Sequence, residues 1–398
     1  MASRRGFIAG AAAGLIAVLS GARDLFAQLI GSKYKFVMGS GPGPETTING
    51  KRYLYFGGTG YFGLQTHPAL IKAGQDALAE FGLCSATSRN IFGTTPLYLD
   101  VERKASEFFG AEDAIYLASG YLINIAAFQS LAQLGRFDAM FVDENAHWSI
   151  TDFMPAVQKP VVTFAHGAPE DLAKKLKGNL RPGQKPLVAS DGIFPTFGKI
   201  APVPEYFKLV EAYDGCLWLD DCHAIGVLGA NGRGTYEHFG LKSNRLYFGG
   251  TLSKALGAHG GIIPGQTDFV LPIRAGHIVN GANASPSAAA GAAVKGMELM
   301  MAHPELRQQL WRNARMLKAG VRKMGFDQDD SPVPIAAWTL KTAEAMDHVH
   351  EELMKRGICI QRTRYVGAGQ GGALRAVVFA THTPAHIDHL LAELGSLV

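Results

Sequence analysis

The sequence predicts an α/β fold with a large lobe, built on a mostly parallel seven-stranded sheet, and a small C-terminal α+β lobe. Seven short apolar runs alternate with stretches of helical character, which is typical of a parallel sheet covered on both faces. The runs are residues 114–117, 139–142, 161–164, 187–190, 216–219, 246–248 and 261–263. The chain has 398 residues, of which 47% are hydrophobic and 18% charged, and this is enough for a large core in two lobes.

An arm and a candidate leader precede the two lobes. The predicted boundaries are residues 1–27 for a signal peptide, 28–65 for the N-terminal arm, 66–285 for the large lobe and 286–398 for the small lobe. In the arm, Asn49-Gly50 indicates a hairpin turn. In the small lobe, a helix-forming stretch that is interrupted near His303-Pro304 leads to strands predicted over 335–340, 358–361 and 373–379.

The first residues resemble a twin-arginine export signal. Arg4-Arg5 is followed by Phe7 and by a weakly hydrophobic stretch rich in Ala and Gly, with Ala27 as a candidate cleavage site. The apolar run is too short for a comfortable membrane span. The alternative is an amphipathic N-terminal helix, but such a helix places charges periodically, and none occurs between Arg5 and Arg23. The signal predicts a periplasmic or otherwise exported protein, and the alternative a cytoplasmic one.

Composition excludes several classes of function. A net charge of +4 is too small to indicate nucleic-acid binding. The four cysteines, Cys84, Cys216, Cys222 and Cys359, include no C-x-x-C pair, so we expect neither a zinc site nor a redox dithiol. After the leader, no apolar segment approaches the length of a membrane span. We therefore expect an enzyme without a metal, a nucleic-acid partner or a stable membrane span.

Lys254 lies in the turn Thr251-Leu252-Ser253-Lys254, directly after a short apolar run. An amine in such a polar, partly desolvated turn suits a Schiff base, and the hydroxyls of Thr251 and Ser253 suit a phosphate. Pyridoxal phosphate requires both functions. The alternative for this motif taken alone is an ordinary surface lysine in a glycine-rich loop.

Asp220 and His223 follow another buried run, at the carboxyl end where α/β folds bind ligands. A carboxylate there can pair with a protonated pyridine nitrogen, and an imidazole three residues later can reach the phenolic oxygen of the ring. Alternatives for an isolated Asp-x-x-His are a structural cap with a satisfied histidine, or a pair of metal ligands. With Lys254 downstream, the pattern favours the cofactor.

Two more motifs complete the predicted site. Ser119, Gly120 and Tyr121 precede a helical stretch, and backbone N–H groups at a helix start bind phosphate. His147, beyond a further strand, offers a flat side chain that can stack on a pyridine ring. Taken alone, the first motif is more typical of a plain strand-to-helix turn, and the second of a satisfied core histidine.

These motifs, in this order and spacing, resemble those of the α-oxoamine synthases, which are fold-type-I pyridoxal-phosphate enzymes. The resemblance extends over nearly everything after residue 50 and includes Gly63-Leu64-x-x-His67-Pro68, Ser88-Arg89, Gly226-x-x-Gly229-x-x-Gly232 and Leu374-Arg375. It implies that Lys254 forms the Schiff base, Asp220 pairs with the pyridine nitrogen, His223 contacts the phenolic oxygen and His147 stacks on the ring. It further implies a phosphate site of Ser119, Gly120, Tyr121, Thr251 and Ser253, a substrate-binding Arg375, and a homodimer.

Departures from the family pattern include two single positions. Thr59 stands where a substrate-contacting asparagine is usual, and Pro195 stands where a serine would assist the cofactor's oxygen or the acyl carbonyl. Proline cannot donate that hydrogen bond. Arg375 matches the family pattern, and its planar guanidinium suits the role, because it can bind a carboxylate bidentately. The alternative role for Arg375 is a local salt bridge.

The resemblance implies condensation of an amino acid with an acyl thioester to an α-amino ketone. A pyridoxal-phosphate aminotransferase, or another decarboxylase-like reaction at the same lysine, remains an alternative. A second alternative is an exported homologue that binds the cofactor without turnover, although such a role needs no nucleophilic Lys254. A serine-type acyl hydrolase is disfavoured, because Thr251-x-x-Lys254 lacks the companion Ser-Asp-Asn and Lys-Thr-Gly elements.

Overall fold

A computed structural model describes residues 35–398, so the predicted signal at residues 1–27 lies outside the described residues. The strands are β1 (Glu45–Ile48), β2 (Lys51–Tyr55), β3 (Asp113–Leu117), β4 (Ala139–Asp143), β5 (Val161–Phe164), β6 (Pro186–Asp191), β7 (Cys216–Asp220), β8 (Leu246–Thr251), β9 (Gly261–Gly265), β10 (Ile335–Trp338), β11 (Ile358–Cys359), β12 (Gln361–Thr363) and β13 (Ala373–Val377). The α-helices are α1 (Pro68–Phe81), α2 (Pro96–Phe109), α3 (Ile123–Gln133), α4 (Trp148–Thr151), α5 (Pro169–Asn179), α6 (Val203–Glu211), α7 (Thr235–His238), α8 (Thr267–Ala275), α9 (His277–Gly281), α10 (Ser287–Ala302), α11 (Pro304–Lys323), α12 (Ala343–Lys355) and α13 (Pro384–Gly395). A π-helical turn covers Arg89–Gly93, and 3₁₀ turns cover Leu64–Thr66, Gly120–Leu122 and Met154–Val157.

The large lobe is built on a seven-stranded sheet in the order β3-β9-β8-β7-β6-β4-β5. Its neighbours are parallel except at β9, which runs antiparallel to both β3 and β8. The seven apolar runs of the sequence are these seven strands, so the predicted mostly parallel sheet is confirmed. The central strands β4, β6 and β7 are buried along their whole length, which is why they are continuous apolar runs and do not alternate.

The small-lobe sheet has the antiparallel order β10-β13-β12. The helix-forming stretch before it is interrupted at the predicted place, because α10 ends at Ala302 and α11 begins at Pro304, whose ring fits the first helical turn. The prediction of a single strand over 358–361 is wrong, because these residues belong to two strands in different sheets. β11 pairs with β2 and β12 pairs with β13, and the chain passes from one sheet to the other at Ile360.

The arm joins the small lobe through a third sheet, in the order β1-β2-β11. Its hairpin is confirmed: Asn49 and Gly50 have φ angles of 50° and 78°, the backbone that a tight two-residue hairpin turn requires. The boundaries assigned to the arm and the two lobes remain a prediction.

Parallel strands bring the predicted site residues to one edge of the large sheet. β6, β7 and β8 end at Asp191, Asp220 and Thr251, and their register places Asp191 opposite Asp220. Ligands of α/β proteins bind at this carboxyl edge. The arrangement of strands therefore assembles one site from widely separated motifs.

Within residues 35–398, no helix combines the length and the hydrophobicity needed to cross a membrane.

Candidate active site

A cavity of about 200 Å³ lies at the carboxyl edge of the large sheet, and we call it the cofactor compartment. All of the predicted cofactor-binding residues line it. Its lining is Ser119, Gly120, Tyr121, His147, Ser149, Asp191, Asp220, Cys222, His223, Thr251, Ser253, Lys254 and His259. The structure therefore brings together the residues that the sequence grouped by chemistry, although their individual roles remain predictions.

One end of this compartment is suited to an anion. The Ser119 hydroxyl oxygen accepts a hydrogen bond from the Tyr121 N–H at 3.1 Å, where a 3₁₀ turn leads into α3. The hydroxyl groups of Thr251 and Ser253 lie 2.8 Å apart. A Cβ atom at Gly120 would lie 2.5 Å from the Cβ of Thr251, so only glycine lets the two segments approach this closely. Hydroxyls and backbone N–H groups of a helix start together form a phosphate-binding surface.

Asp220 lines the same compartment and is 2% exposed. Its carboxylate accepts hydrogen bonds from the Asn124 side-chain amide at 2.9 Å and from the Cys222 N–H at 3.0 Å. Asn124 is itself held by the Trp218 indole N–H at 2.7 Å. These partners are neutral donors. A buried carboxylate held only by neutral groups is suited to pair with a cationic ligand.

His147 is held at three atoms. Its backbone N–H donates to Asp191 at 2.8 Å, its Nδ1 accepts from the Ser149 N–H at 3.1 Å, and its Nε2 lies 2.5 Å from the Tyr365 hydroxyl oxygen. Burial lowers the pKa of His147 below its ordinary value, in spite of the opposing charge of Asp220. The neutral imidazole is therefore favoured at physiological pH.

His223 is buried and pairs with Tyr61, whose phenol oxygen lies 2.6 Å from the Nδ1 of His223. Burial and the nearby Lys254 lower the pKa of His223 well below its ordinary value. Burial also raises the pKa of Tyr61, so the phenol keeps its proton. A protonated phenol beside a neutral imidazole donates to it, which leaves the other ring nitrogen of His223 as an N–H donor.

Lys254 follows β8 in a turn that another segment of the chain holds in place. The side-chain amide of Gln65 donates to the carbonyl oxygens of Lys254, at 2.7 Å, and of Ser253, at 3.3 Å. The side chain of Lys254 lines the cofactor compartment and also a second cavity beside it. An amine at the boundary of two compartments can reach ligands in both.

The second cavity, the substrate compartment, has a volume of about 310 Å³. Both predicted substrate-binding residues line it. Its lining is Thr59, Pro195, Thr196, His223, Lys254, Gln361, Thr363, Tyr365 and Arg375.

Arg375 is 4% exposed, and its partners are all neutral acceptors. Its Nε donates to the Pro195 carbonyl oxygen at 2.9 Å, and one terminal nitrogen contacts the Gly58 carbonyl and the Gln361 side-chain carbonyl. The described residues thus do not give it the salt bridge that was the alternative to a substrate role. Burial lowers the pKa of the guanidinium, but arginine remains charged.

Sequence reasoning assigned no role to several residues of this site. Asn124 and Ser149 hold Asp220 and His147, Tyr61 holds His223, and Tyr365 contacts His147 from the small lobe. Asn124 and Ser149 lie in the helices that follow Tyr121 and His147. Their position in the first turn after a predicted site residue was the one indication of them in the sequence. Tyr365 lies in a glycine-rich segment that carries no chemical motif.

The residues fit pyridoxal phosphate. Gly120 and the hydroxyl pair form a surface for the phosphate, Asp220 offers a carboxylate held by neutral donors for a ring cation, and Lys254 offers an amine in the same lining. Across residues 35–398 no cluster of His, Cys, Asp and Glu side chains is arranged to hold a metal ion.

Comparison with known proteins gives consistent results. The profile of aminotransferase class I and II proteins matches residues 56–394. Over 356 residues the chain is 32% identical to 8-amino-7-oxononanoate synthase 1 of Bacillus velezensis, covering 89% of this chain and 90% of that one. Over 353 residues it is 32% identical to serine palmitoyltransferase of Sphingobacterium spiritivorum, covering 88% of each chain.

Two solved structures extend the comparison. A serine palmitoyltransferase from S. paucimobilis with a bound PLP–myriocin aldimine superposes with a TM-score of 0.85 at 30% identity, covering 91% of this chain and 92% of that one. A structure described as SPT with PLP internal aldimine gives a TM-score of 0.86 at 29% identity, covering 96% and 98%.

Proposed function

Because this chain belongs to the α-oxoamine synthases, within the aminotransferase class I and II family, we propose that it condenses an α-amino acid with an acyl thioester to an α-amino ketone. It is a pyridoxal-phosphate-dependent transferase of the fold-type-I class. The observation that carries the proposal is the junction of the two compartments. Lys254 and His223 line both, and the second compartment contains a buried arginine that has no acidic partner within residues 35–398.

Bound pyridoxal phosphate withdraws electrons from the bonds of the α-carbon of an amino acid attached to it. Ser119, Gly120, Thr251 and Ser253 would hold its phosphate. Asp220 would keep the ring nitrogen protonated, since a buried carboxylate stabilises the neighbouring positive charge. Lys254 would hold the aldehyde carbon.

The substrate compartment then orients the amino acid. Arg375 is fixed by the Pro195 and Gly58 carbonyls, so its guanidinium does not have to be ordered when the substrate carboxylate binds. The amine of Lys254 is the basic group at the boundary of the two compartments. We assign to it the transfer of the α-proton, because a general base must be within reach of the proton that it removes.

An amino acid titration tests the proposal. The visible absorption of the cofactor-loaded protein is recorded with a panel of amino acids, first without and then with an acyl thioester. We expect one amino acid to shift the band lastingly, and an amino ketone to form only after the thioester is added. Conversion of the cofactor to its amino form would indicate the aminotransferase instead. A protein that binds the cofactor but responds to no amino acid would indicate the non-catalytic homologue.

Arg375→Gln is expected to raise the half-saturating concentration of that amino acid by about 30-fold or more, because it removes one member of a desolvated charge pair. Arg362→Gln is the matched control. Its guanidinium lies nearby but bonds to Asp347 and to the Gly371 carbonyl, outside the lining of the compartment. Equal effects of the two substitutions would exclude a specific contact between Arg375 and the substrate carboxylate.

We also propose that the protein is a homodimer. The π-helical turn Arg89–Gly93 presents Ile91 and Phe92 with 66% and 87% of their surface exposed. The turn is firmly held, because Arg89 forms a buried salt bridge with Glu102 at 2.7 Å. Large apolar side chains presented outward by a rigid segment are typical of an interface. Sedimentation of the purified protein tests this, since a monomer would contradict it.

Export by the twin-arginine route remains a proposal, supported by Arg4-Arg5, Phe7 and the uncharged stretch up to Arg23. An exported enzyme would not meet cytosolic acyl-CoA and would need another acyl thioester. The test is a fusion of residues 1–30 to a reporter that this route alone exports, with an R4K/R5K pair as the control. Retention of the unaltered fusion in the cytoplasm would contradict export.

A further inference from the structure

Tyr365 connects the two compartments from the segment between β12 and β13. Its side chain lines the substrate compartment, and its hydroxyl oxygen lies 2.5 Å from the Nε2 of His147. The ring packs edge-on against Trp148, with centroids 4.6 Å apart. The segment is fixed to the large lobe by the Thr196 hydroxyl, which donates to the Val366 carbonyl oxygen at 2.6 Å. The phenol is therefore held in place by several contacts.

The direction of the Tyr365–His147 hydrogen bond follows from the other side of the imidazole. The Ser149 N–H donates to Nδ1 of His147 at 3.1 Å, and the Ser149 hydroxyl lies 2.7 Å from the same nitrogen and can donate to it as well, so we assign Nδ1 as an acceptor without a proton. Burial lowers the pKa of His147, which favours the neutral ring, and a neutral ring then has its proton on Nε2. This N–H donates to the Tyr365 oxygen. The hydroxyl proton of Tyr365 is consequently left for another acceptor.

Tyr365 lines the substrate compartment, so a ligand bound there can accept this proton. Two neighbouring residues of the wall offer such a ligand no donor. Pro195, on its wall, has neither an N–H nor a hydroxyl group, and its carbonyl oxygen is occupied by Arg375. The Thr196 hydroxyl is occupied by the Val366 carbonyl. Burial and the carboxylates of Asp191 and Asp220 raise the pKa of Tyr365, so the phenol stays protonated and can donate.

We propose that Tyr365 is a catalytic residue that donates a hydrogen bond to the carbonyl oxygen of the acyl substrate as negative charge develops there. The phenol keeps its proton throughout, and His147 orients it by donating from Nε2. The proposal rests on the proposed function, because only an acyl transfer supplies such an oxygen. A fixed donor aimed at a developing oxyanion is worth about 10²–10³-fold in kcat.

Tyr365→Phe removes the hydroxyl and keeps the ring against Trp148. We expect acyl transfer to fall by about 10²-fold. Binding of the amino acid alone, measured by the shift of the cofactor band, should stay within a few-fold of the unaltered protein. Tyr236→Phe is the matched control and should have little effect, because it removes a tyrosine hydroxyl that bonds to the Phe109 carbonyl outside both compartments. In the Tyr365→Phe background, Pro195→Ser supplies a new hydroxyl on the same wall and should restore about 10-fold of the lost rate.

Four results would overturn the inference. Transfer by Tyr365→Phe within a few-fold of the unaltered protein would exclude the donor. Equal losses in amino acid binding and in transfer would indicate that the phenol only shapes the site. A loss from Tyr236→Phe as large as that from Tyr365→Phe would show that the effect is not specific to this phenol. If the unaltered protein transfers no acyl group from any thioester, the proposed function fails as well, and that outcome is distinct because it appears before any substitution.

Discussion

Lys254→Ala is expected to abolish the covalent attachment of pyridoxal phosphate and to lower kcat by about 10⁴-fold or more, as removal of a covalent catalyst does. Lys254 is the lysine that lines both compartments, and its turn is held by Gln65. Its amine would both hold the cofactor and transfer the α-proton. One substitution therefore removes two functions.

The measurement combines absorption with mass spectrometry. After reduction with borohydride and denaturation, the unaltered protein should retain the cofactor's mass on the peptide that contains Lys254, and the variant should release it. Lys242→Ala, an exposed lysine before β8, is the control and should behave like the unaltered protein. Covalent cofactor retained by Lys254→Ala would contradict the central assignment. Cofactor that binds without covalent attachment would show that the pocket is still folded.

The sequence predicted much of the fold because a buried strand can be recognised from its own residues. β4, β6 and β7 are buried along their whole length, so each is a continuous apolar run that is visible without any neighbour. The break between α10 and α11 was visible for a different reason, because Pro304 has a fixed backbone preference. The division of residues 358–361 was not visible, because it depends on which distant strand each half pairs with.

Site residues could be predicted where a chemically reactive residue type directly follows a predicted strand. Lys254, Asp220 and His223 satisfied that condition, and all three line one cavity. Tyr61 and Tyr365 did not, since a tyrosine is an ordinary residue until the fold places its hydroxyl beside an imidazole. Contacts between lobes leave no periodic pattern in the sequence, so residues that meet in this way can be identified only from the folded structure.

Asp220→Asn is expected to lower kcat by about 10³-fold while the cofactor stays covalently attached to Lys254. The substitution keeps the shape of the side chain and removes its charge. In the folded protein the carboxylate is held by Asn124 and by the Cys222 N–H, and neither neutralises it. Its negative charge is therefore available to keep a ring nitrogen protonated. Without that charge the ring withdraws electrons less strongly, and removal of the α-proton is slowed.

Asp143→Asn is the matched control for charge removal at a strand end. Asp143 is fully buried at the end of β4, but it is bonded to His166 and to the Gly167 N–H, outside the lining of either compartment. We expect this substitution to lower the melting temperature and to leave kcat of the folded protein within a few-fold. A loss of kcat as large as that from Asp220→Asn would mean that any buried carboxylate at this edge has the same effect.

A cofactor analogue that carries carbon in place of the ring nitrogen tests whether Asp220 acts through that nitrogen. Loaded into the unaltered protein, the analogue should reproduce the loss of kcat caused by Asp220→Asn. Loaded into the variant, it should cause little further loss, because the two changes remove the same interaction and are not additive. Full additivity of the two losses would show that Asp220 acts elsewhere, for example by holding Asn124 and the hydrogen bonds around His147. The analogue thus separates an electrostatic role toward the cofactor from a structural role within the protein.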